Sequence, residues 1–76
     1  MEVKQIVNRK YRQVHDRQIE LQEGPNPEML ILKISDLDDN LLFSATYIDE
    51  ATARAAYRLA YNVVVNDLPL ERIYGA

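Results

Sequence analysis

The chain has no cysteine, no tryptophan, one histidine and two glycines among its 76 residues. Without cysteine it forms neither a disulfide nor a thiolate metal site, and this composition suits a reducing cytoplasm. His15 is the sole histidine, whereas hydrolytic triads and zinc sites need further partners of suitable type. The two isolated glycines exclude a glycine-rich phosphate loop. We therefore expect a protein that is not an enzyme and takes no metal, no cofactor and no small-molecule substrate.

Long hydrophobic runs are missing as well. No apolar segment approaches the roughly 20 residues that a membrane span needs, and the first residues are too polar for a signal peptide. Hydrophobic residues make up 47% and charged residues 28% of the chain, which is an ordinary globular balance. We expect one soluble cytoplasmic domain over residues 1–76. So short a chain buries only a small core and often needs further stabilisation. With disulfides and thiolate metal sites excluded, self-association is the means of stabilisation that remains.

Charge is distributed unevenly along the chain. Residues 1–17 carry five basic and two acidic side chains, for +3, while residues 18–50 carry one lysine and eight acidic side chains, for −7. The remainder brings the net charge to −3. This polarity favours either contact between the basic segment and an acidic partner or pairing between the two parts of the chain itself.

The clearest predicted element is a helix from about Asp49 to Asn66. Asp49 is a good N-cap residue, and Glu50 and Arg54 begin a polar ridge with the four-residue spacing of ion pairs on one helix face. The predicted core stripe consists of Ala53, Ala56, Leu59, Ala60 and Val63. The residues flanking this stripe either complete the core or line a dimer or partner interface; they are Tyr57, Tyr61, Val64 and Val65.

Two strongly β-like segments precede the helix, residues 29–35 and 41–47, and the intervening Asp-rich turn predicts a hairpin. Its register places Ile34 opposite Phe43, Leu32 opposite Ala45 and Leu30 opposite Tyr47, all facing the helix. The turn also has the opening spacing of a calcium loop. Leu41 and Tyr47, however, occupy the positions where that loop requires glycine and a bidentate glutamate, so we interpret the acidic residues as turn formers.

The complete predicted fold is α+β, an antiparallel sheet of about three strands covered on one face by the long Ala-rich helix. Residues 18–76 form this core, and residues 17–22 supply the third strand. Residues 1–17 form a basic N-terminal helix or arm, because Val3, Val7, Tyr11 and Val14 fit helical spacing. Residues 70–74 add a short C-terminal strand held by Ile73 and Tyr74.

A second candidate contact surface lies in the basic N-terminal segment. Its cations suit phosphates or carboxylates, and its aromatic side chain suits a stacked base. The candidate residues are Arg9, Lys10, Tyr11, Arg12 and Arg17. If residues 1–17 are helical, the element order resembles the double-stranded RNA-binding domain, which docks through a basic start to its last helix. Here that helix starts with Asp49 and Glu50, which disfavours RNA.

These features favour a small non-catalytic protein-binding or regulatory module that is homo-oligomeric or bound to a partner protein. One alternative is a nucleic-acid-binding domain that uses residues 9–17. Another is a phage-type or mobile-element inhibitor of a host complex, because such an inhibitor needs only a shaped and charged surface.

Overall fold

The computed structural model describes residues 8–26 and 28–73 and shows an antiparallel sheet packed on one helix. Within those residues the sheet has four strands in the order β1-β2-β3-β4. The predicted α+β class is confirmed, with one strand more than expected. The elements are β1 (Asn8–Val14), β2 (Arg17–Glu23), β3 (Leu30–Asp36), β4 (Leu41–Tyr47), helix α1 (Glu50–Val65) and a 3₁₀ turn (Leu70–Arg72).

The helix expected in the first 17 residues is wrong for residues 8–14, which form β1; Val3 and Val7 lie outside the described residues. β1 pairs antiparallel with β2 across a two-residue loop whose first residue, His15, has a φ of 54°. Helix propensities of ordinary residues differ by only tenths of a kcal/mol. Pairing with β2 satisfies a row of backbone groups and buries Val14, so tertiary structure overrides the local spacing.

The β3–β4 hairpin has the predicted register, with Ile34 opposite Phe43, Leu32 opposite Ala45 and Leu30 opposite Tyr47. A bulge interrupts the ladder where Ser35 pairs with Leu41 and leaves Leu42 without a counterpart. In the turn, one Asp36 carboxylate oxygen accepts hydrogen bonds from the backbone N–H groups of Asp38 and Asn40, both at 2.9 Å. The predicted turn-forming role of this acidic cluster is confirmed.

Helix α1 begins and ends where the sequence predicts. The Asp49 carboxylate accepts hydrogen bonds from the Thr52 backbone N–H at 3.0 Å and the Thr52 hydroxyl at 2.6 Å. Arg54 pairs with Glu50 at 2.8 Å along the predicted ridge. At the other end, the Asn66 N–H bonds to the carbonyl of Asn62. No helix in the described ranges has the length and apolar character to cross a membrane.

The core lies between α1 and one face of the sheet. Ala53, Ala56 and Ala60 are fully buried, and their small side chains allow the helix axis to approach the strands closely. Leu59, predicted to belong to the core stripe, is only partly buried. The largest fully buried side chains come from β2, β3, α1 and the C-terminal segment; they are Ile19, Leu21, Leu32, Ile34, Val63 and Ile73.

The predicted C-terminal strand is wrong for residues 70–72, which form the 3₁₀ turn, while Tyr74 lies outside the described residues. Pro69 precedes this turn in extended conformation, and the Ile73 N–H bonds back to the carbonyl of Leu70. The turn brings Ile73 into the core, where 2% of it is exposed. The anchoring role expected for Ile73 therefore holds without strand pairing.

The other face of the sheet is mixed in character and is not covered by any described element. It carries a polar network in which the Tyr11 hydroxyl donates to Gln18 at 3.1 Å, and Gln18 donates to the carbonyl of Asp36 at 2.8 Å. Gln22 donates to Glu20 at 3.0 Å. Such a face is typical of an antiparallel sheet with one solvated side.

We predict that Leu32→Ala lowers the free energy of unfolding by about 2–5 kcal/mol, because Leu32 is fully buried between sheet and helix. A chain of 76 residues has a total stability of about 4–11 kcal/mol, so this loss is severe. The matched control is Leu37→Ala in the β3–β4 turn, where the side chain is exposed. Urea unfolding measures both, and equal losses would contradict the register.

We predict that Asp49 contributes stability above about pH 4 that is lost at lower pH. Hydrogen bonds from Thr52 hold the pKa of Asp49 below its ordinary value of 3.8, so the folded state favours the ionised carboxylate. Asp49→Asn keeps a good N-cap but cannot titrate. Melting temperatures from pH 7 to pH 2 should show wild type above this variant at neutral pH, with the difference vanishing in acid. An unchanged difference would refute the assignment.

Candidate interaction site

The two surfaces predicted separately from the sequence meet in one cleft between β1 and α1. In β1, Lys10 lies opposite Leu21 and Arg12 opposite Ile19, so both cations share the face that packs on the helix. α1 presents Tyr57 and Tyr61, one turn apart, towards the same place. The opening has a volume of about 350 Å³. We call it the cationic cleft; its lining residues are Lys10, Tyr11, Arg12, Tyr57, Arg58 and Tyr61.

Lys10 and Arg12 of β1 each stand over one tyrosine ring. Lys10 Nζ lies 5.4 Å from the centre of the Tyr57 ring, and Arg12 Cζ lies 4.9 Å from the centre of the Tyr61 ring. Both distances are within the range of cation–π attraction. The rings hold the two cations side by side at the mouth of the cleft.

Tyr57 contributes no negative charge to the cleft. Tyr57 is 8% exposed, and its burial raises the pKa of the hydroxyl above the ordinary value of 10.0. The positive charge of Arg12 offsets part of this rise in pKa. The phenol is therefore neutral at physiological pH, and the charged groups lining the cleft are all positive.

In the described part of the chain, no carboxylate forms an ion pair with Lys10, Arg12 or Arg58. The ion pairs of this part instead join Arg17 to Asp16 at 3.4 Å and Arg54 to Glu50 at 2.8 Å. Within the described residues, pairing between the basic segment and the acidic middle, which the sequence left open, is thus absent from the cleft. Its three cations are available to a ligand.

Strand alternation separates the basic residues predicted as one surface. Lys10 and Arg12 enter the cleft, whereas Tyr11 forms part of its rim and hydrogen-bonds to Gln18 on the open face of the sheet. Arg17 lies at the far end of the β1–β2 hairpin beside a second cavity. Arg9 belongs to β1, and its side chain is outside the described part of the chain.

The helix-flank residues also have different environments. Tyr57 and Val64 are buried in the core, Tyr61 is half-buried in the cleft, and Val65 is 38% exposed beside the second cavity. Arg58 continues the four-residue ridge begun by Glu50 and Arg54, and its place in the cleft was not predicted from the sequence. The sequence contained a signal for this position. Arg54 can pair with the Glu50 carboxylate one turn before it, whereas the ridge residue one turn after Arg58 is Asn62, which carries no carboxylate.

The second cavity combines His15 with aliphatic side chains from the end of α1. It has a volume of about 350 Å³ and includes Asp16, Arg17, Val63 and Leu68 in its lining. None of its described lining residues is a serine, threonine, cysteine or lysine, so His15 has no hydroxyl, thiol or amine nucleophile beside it there. Among the described residues, no group of three histidine, cysteine, aspartate or glutamate side chains is placed to hold a metal ion.

Comparisons of this chain with protein-family models, with curated proteins and with solved structures gave no match. The geometry and charge of the cationic cleft are therefore the features that bear on function.

We predict a favourable coupling of about 0.5–1 kcal/mol between Arg12 and Tyr61, the typical size of an exposed cation–π contact. It is measured by urea unfolding in a double-mutant cycle of Arg12→Gln and Tyr61→Leu. The control cycle pairs Tyr61→Leu with Arg54→Gln, because Arg54 lies about 10 Å along the helix from Tyr61. Additive effects are expected in the control, and additivity in the first cycle would contradict the stacked geometry.

Proposed function

We propose that this chain is a non-catalytic protein-binding module that captures an acidic segment of a partner protein in the cationic cleft. The observation that carries the proposal is the convergence of Lys10, Arg12 and Arg58 on one opening whose described lining residues include no carboxylate. All three cations are exposed, so a carboxylate can reach them, and their attraction for it weakens as the salt concentration rises. Arg12 and Arg58 can each bind a carboxylate through two parallel hydrogen bonds.

The spacing of the cations suits an extended peptide. Lys10 and Arg12 are two residues apart on a strand, so their backbone positions are about 6.6 Å apart on one face. An extended partner with carboxylates at alternate positions has the same repeat and can meet both cations at once. Because Lys10 and Arg12 project from the helix-facing side of β1, such a segment can lie along the cleft between β1 and α1.

An acidic protein segment fits the cleft better than nucleic acid does. A stacked base needs a free aromatic face, but Lys10 and Arg12 already cover faces of Tyr57 and Tyr61. The chain also has a net charge of −3, which opposes a long polyanion beyond the cleft. A volume of about 350 Å³ suits a few side chains of a short segment. Nucleic-acid binding through residues 9–17 is the alternative function, and the same titrations test it.

A regulatory role in the cytoplasm belongs to the same proposal. A chain that binds through one charged cleft acts by occupying a surface of its partner, as an inhibitor of a larger complex does. The inhibitor of a host complex considered from the sequence is one form of this function. The absence of cysteine supports the reducing compartment.

The test is fluorescence anisotropy with a labelled ten-residue peptide of alternating glutamate and threonine, at low and at physiological salt. We expect salt-sensitive binding that Arg12→Glu and Arg58→Glu each weaken about tenfold, because each reverses a charge in the cleft. The control is Arg72→Glu, which makes the same charge change at an exposed site of the 3₁₀ turn. It should alter affinity less than about twofold.

The same titrations are repeated with single-stranded DNA and duplex RNA of matched charge. Tighter binding of either oligonucleotide, weakened by Arg12→Glu and not by Arg72→Glu, would replace the proposal with the nucleic-acid function. Peptide binding that all three variants weaken equally would show attraction to net charge and contradict a specific cleft. No binding of the peptide at low salt would reject the proposal outright.

A further inference from the structure

The second edge of the sheet differs from the first in a way that bears on self-association. β4 runs from Leu41 to Tyr47 with the sequence LLFSATY, which contains no charged residue, no proline and no glycine. β1, at the opposite edge, carries three cations and a bulge between Asn8 and Lys10. Charges and bulges protect edge strands from pairing with other chains. β1 has both devices, whereas β4 has no charge, and the bulge in its described ladder lies at Leu42, near the start of the strand.

Apolar exposure is concentrated at the two ends of the β4 segment. Leu42 is 41% exposed at the bulge, and Ile48, directly after the strand, is 80% exposed. No described strand pairs with β4 on its outer side. An uncharged edge strand with exposed aliphatic side chains at both ends is a surface for strand addition.

Residues 42–48 at this edge are symmetric in chemical class about Ala45. Reading outwards from Ala45, the two sides present Ser44 and Thr46, then Phe43 and Tyr47, then Leu42 and Ile48. The order is therefore aliphatic, aromatic, hydroxyl, alanine, hydroxyl, aromatic, aliphatic. An antiparallel copy of a strand with this symmetry places like side chains opposite like side chains.

We propose that the occupant of this edge is a second copy of the same chain, paired antiparallel with β4 about a two-fold axis at Ala45. Position 42 then lies opposite position 48 of the second copy, 43 opposite 47 and 44 opposite 46. Aromatic pairs and serine–threonine pairs are among the favourable cross-strand pairs. The contact is self-complementary, as a two-fold interface requires, and brings no like charges together.

The pairing joins two four-stranded sheets into one of eight strands. Positions 43, 45 and 47 of β4 face α1 in each copy, so both helices lie on the same side of the joined sheet. The two cationic clefts lie at the outer edges, three strands away from the junction. The dimer leaves the clefts open, and the inference does not depend on what they bind.

Sedimentation equilibrium of the full chain over a range of concentrations tests the dimer. We expect a dimer of about 17.6 kDa, twice the mass of 8.8 kDa, that dissociates on dilution. Thr46→Lys introduces a charge on the exposed side of the edge and should raise the dimer dissociation constant at least tenfold. Gln13→Lys makes the same charge change on β1 and should leave the constant unaltered. Circular dichroism verifies that both variants are folded.

Single cysteine variants test the register, since the chain has no cysteine of its own. An oxidised mixture of Ser44→Cys and Thr46→Cys should form disulfide-linked dimers across the two-fold axis, visible on a non-reducing gel. Ser44→Cys alone should form few, because two copies of position 44 are not directly opposite. Efficient cross-linking of Ser44→Cys alone would overturn the register. A monomer at every concentration, or a dimer that Thr46→Lys does not weaken, would overturn the proposal.

Discussion

The contact between α1 and one face of the sheet is the constraint on which the rest of the molecule depends. A helix with its side chains is about 10–12 Å wide, whereas four strands at about 4.8 Å spacing form a broader surface. α1 packs mainly on β2 and β3, the two central strands. The buried Ala53, Ala56 and Ala60 allow this close approach. The edge strands are consequently the least covered parts of the helix-side face.

The two edge strands differ in the side chains that they place on this less covered part of the face. On β1, Lys10 and Arg12 occupy helix-facing positions that carry apolar residues in the central strands, and tyrosine rings of α1 receive them. On β4, the helix-facing Phe43, Ala45 and Tyr47 are apolar and buried, while the exposed positions are uncharged. A cationic edge favours an acidic ligand, and an uncharged, symmetric edge favours its own copy. Both proposals follow from one helix covering a four-stranded sheet.

The sequence predicted those parts of the fold in which local pattern and tertiary packing agree. The β3–β4 register and both ends of α1 were predictable, because apolar alternation, a turn signal and helix caps all indicate the same structure. β1 was not predictable, because its helix-facing positions carry cations that a hydrophobic pattern counts as solvent-exposed. The 3₁₀ turn was missed because residues 70–73 are too few to show a period, and only Ile73 becomes buried.

Only part of the cationic cleft could be predicted from the sequence, for a related reason. The basic segment and the tyrosines were both predicted as contact residues, but their meeting depends on the β1–β2 pairing, which brings residues about 47 positions apart together. Because side chains alternate between the two faces of a strand, Lys10 and Arg12 enter the cleft and Tyr11 lies at its rim. Arg58 lies next to Tyr57 on α1 and completes the cleft. A prediction of helix for residues 1–17 could not place Arg58 near Lys10 or Arg12.

The most direct test of the central claim is an NMR titration that follows each backbone amide while the alternating glutamate–threonine peptide is added. We expect saturable shift changes confined to residues 10–12 of β1 and residues 57–61 of α1. Amides of β4, of the β3–β4 turn and of the second cavity should stay unchanged. Changes that cluster at any of those places, with the cleft unaffected, would contradict the claim that the cationic cleft is the binding site.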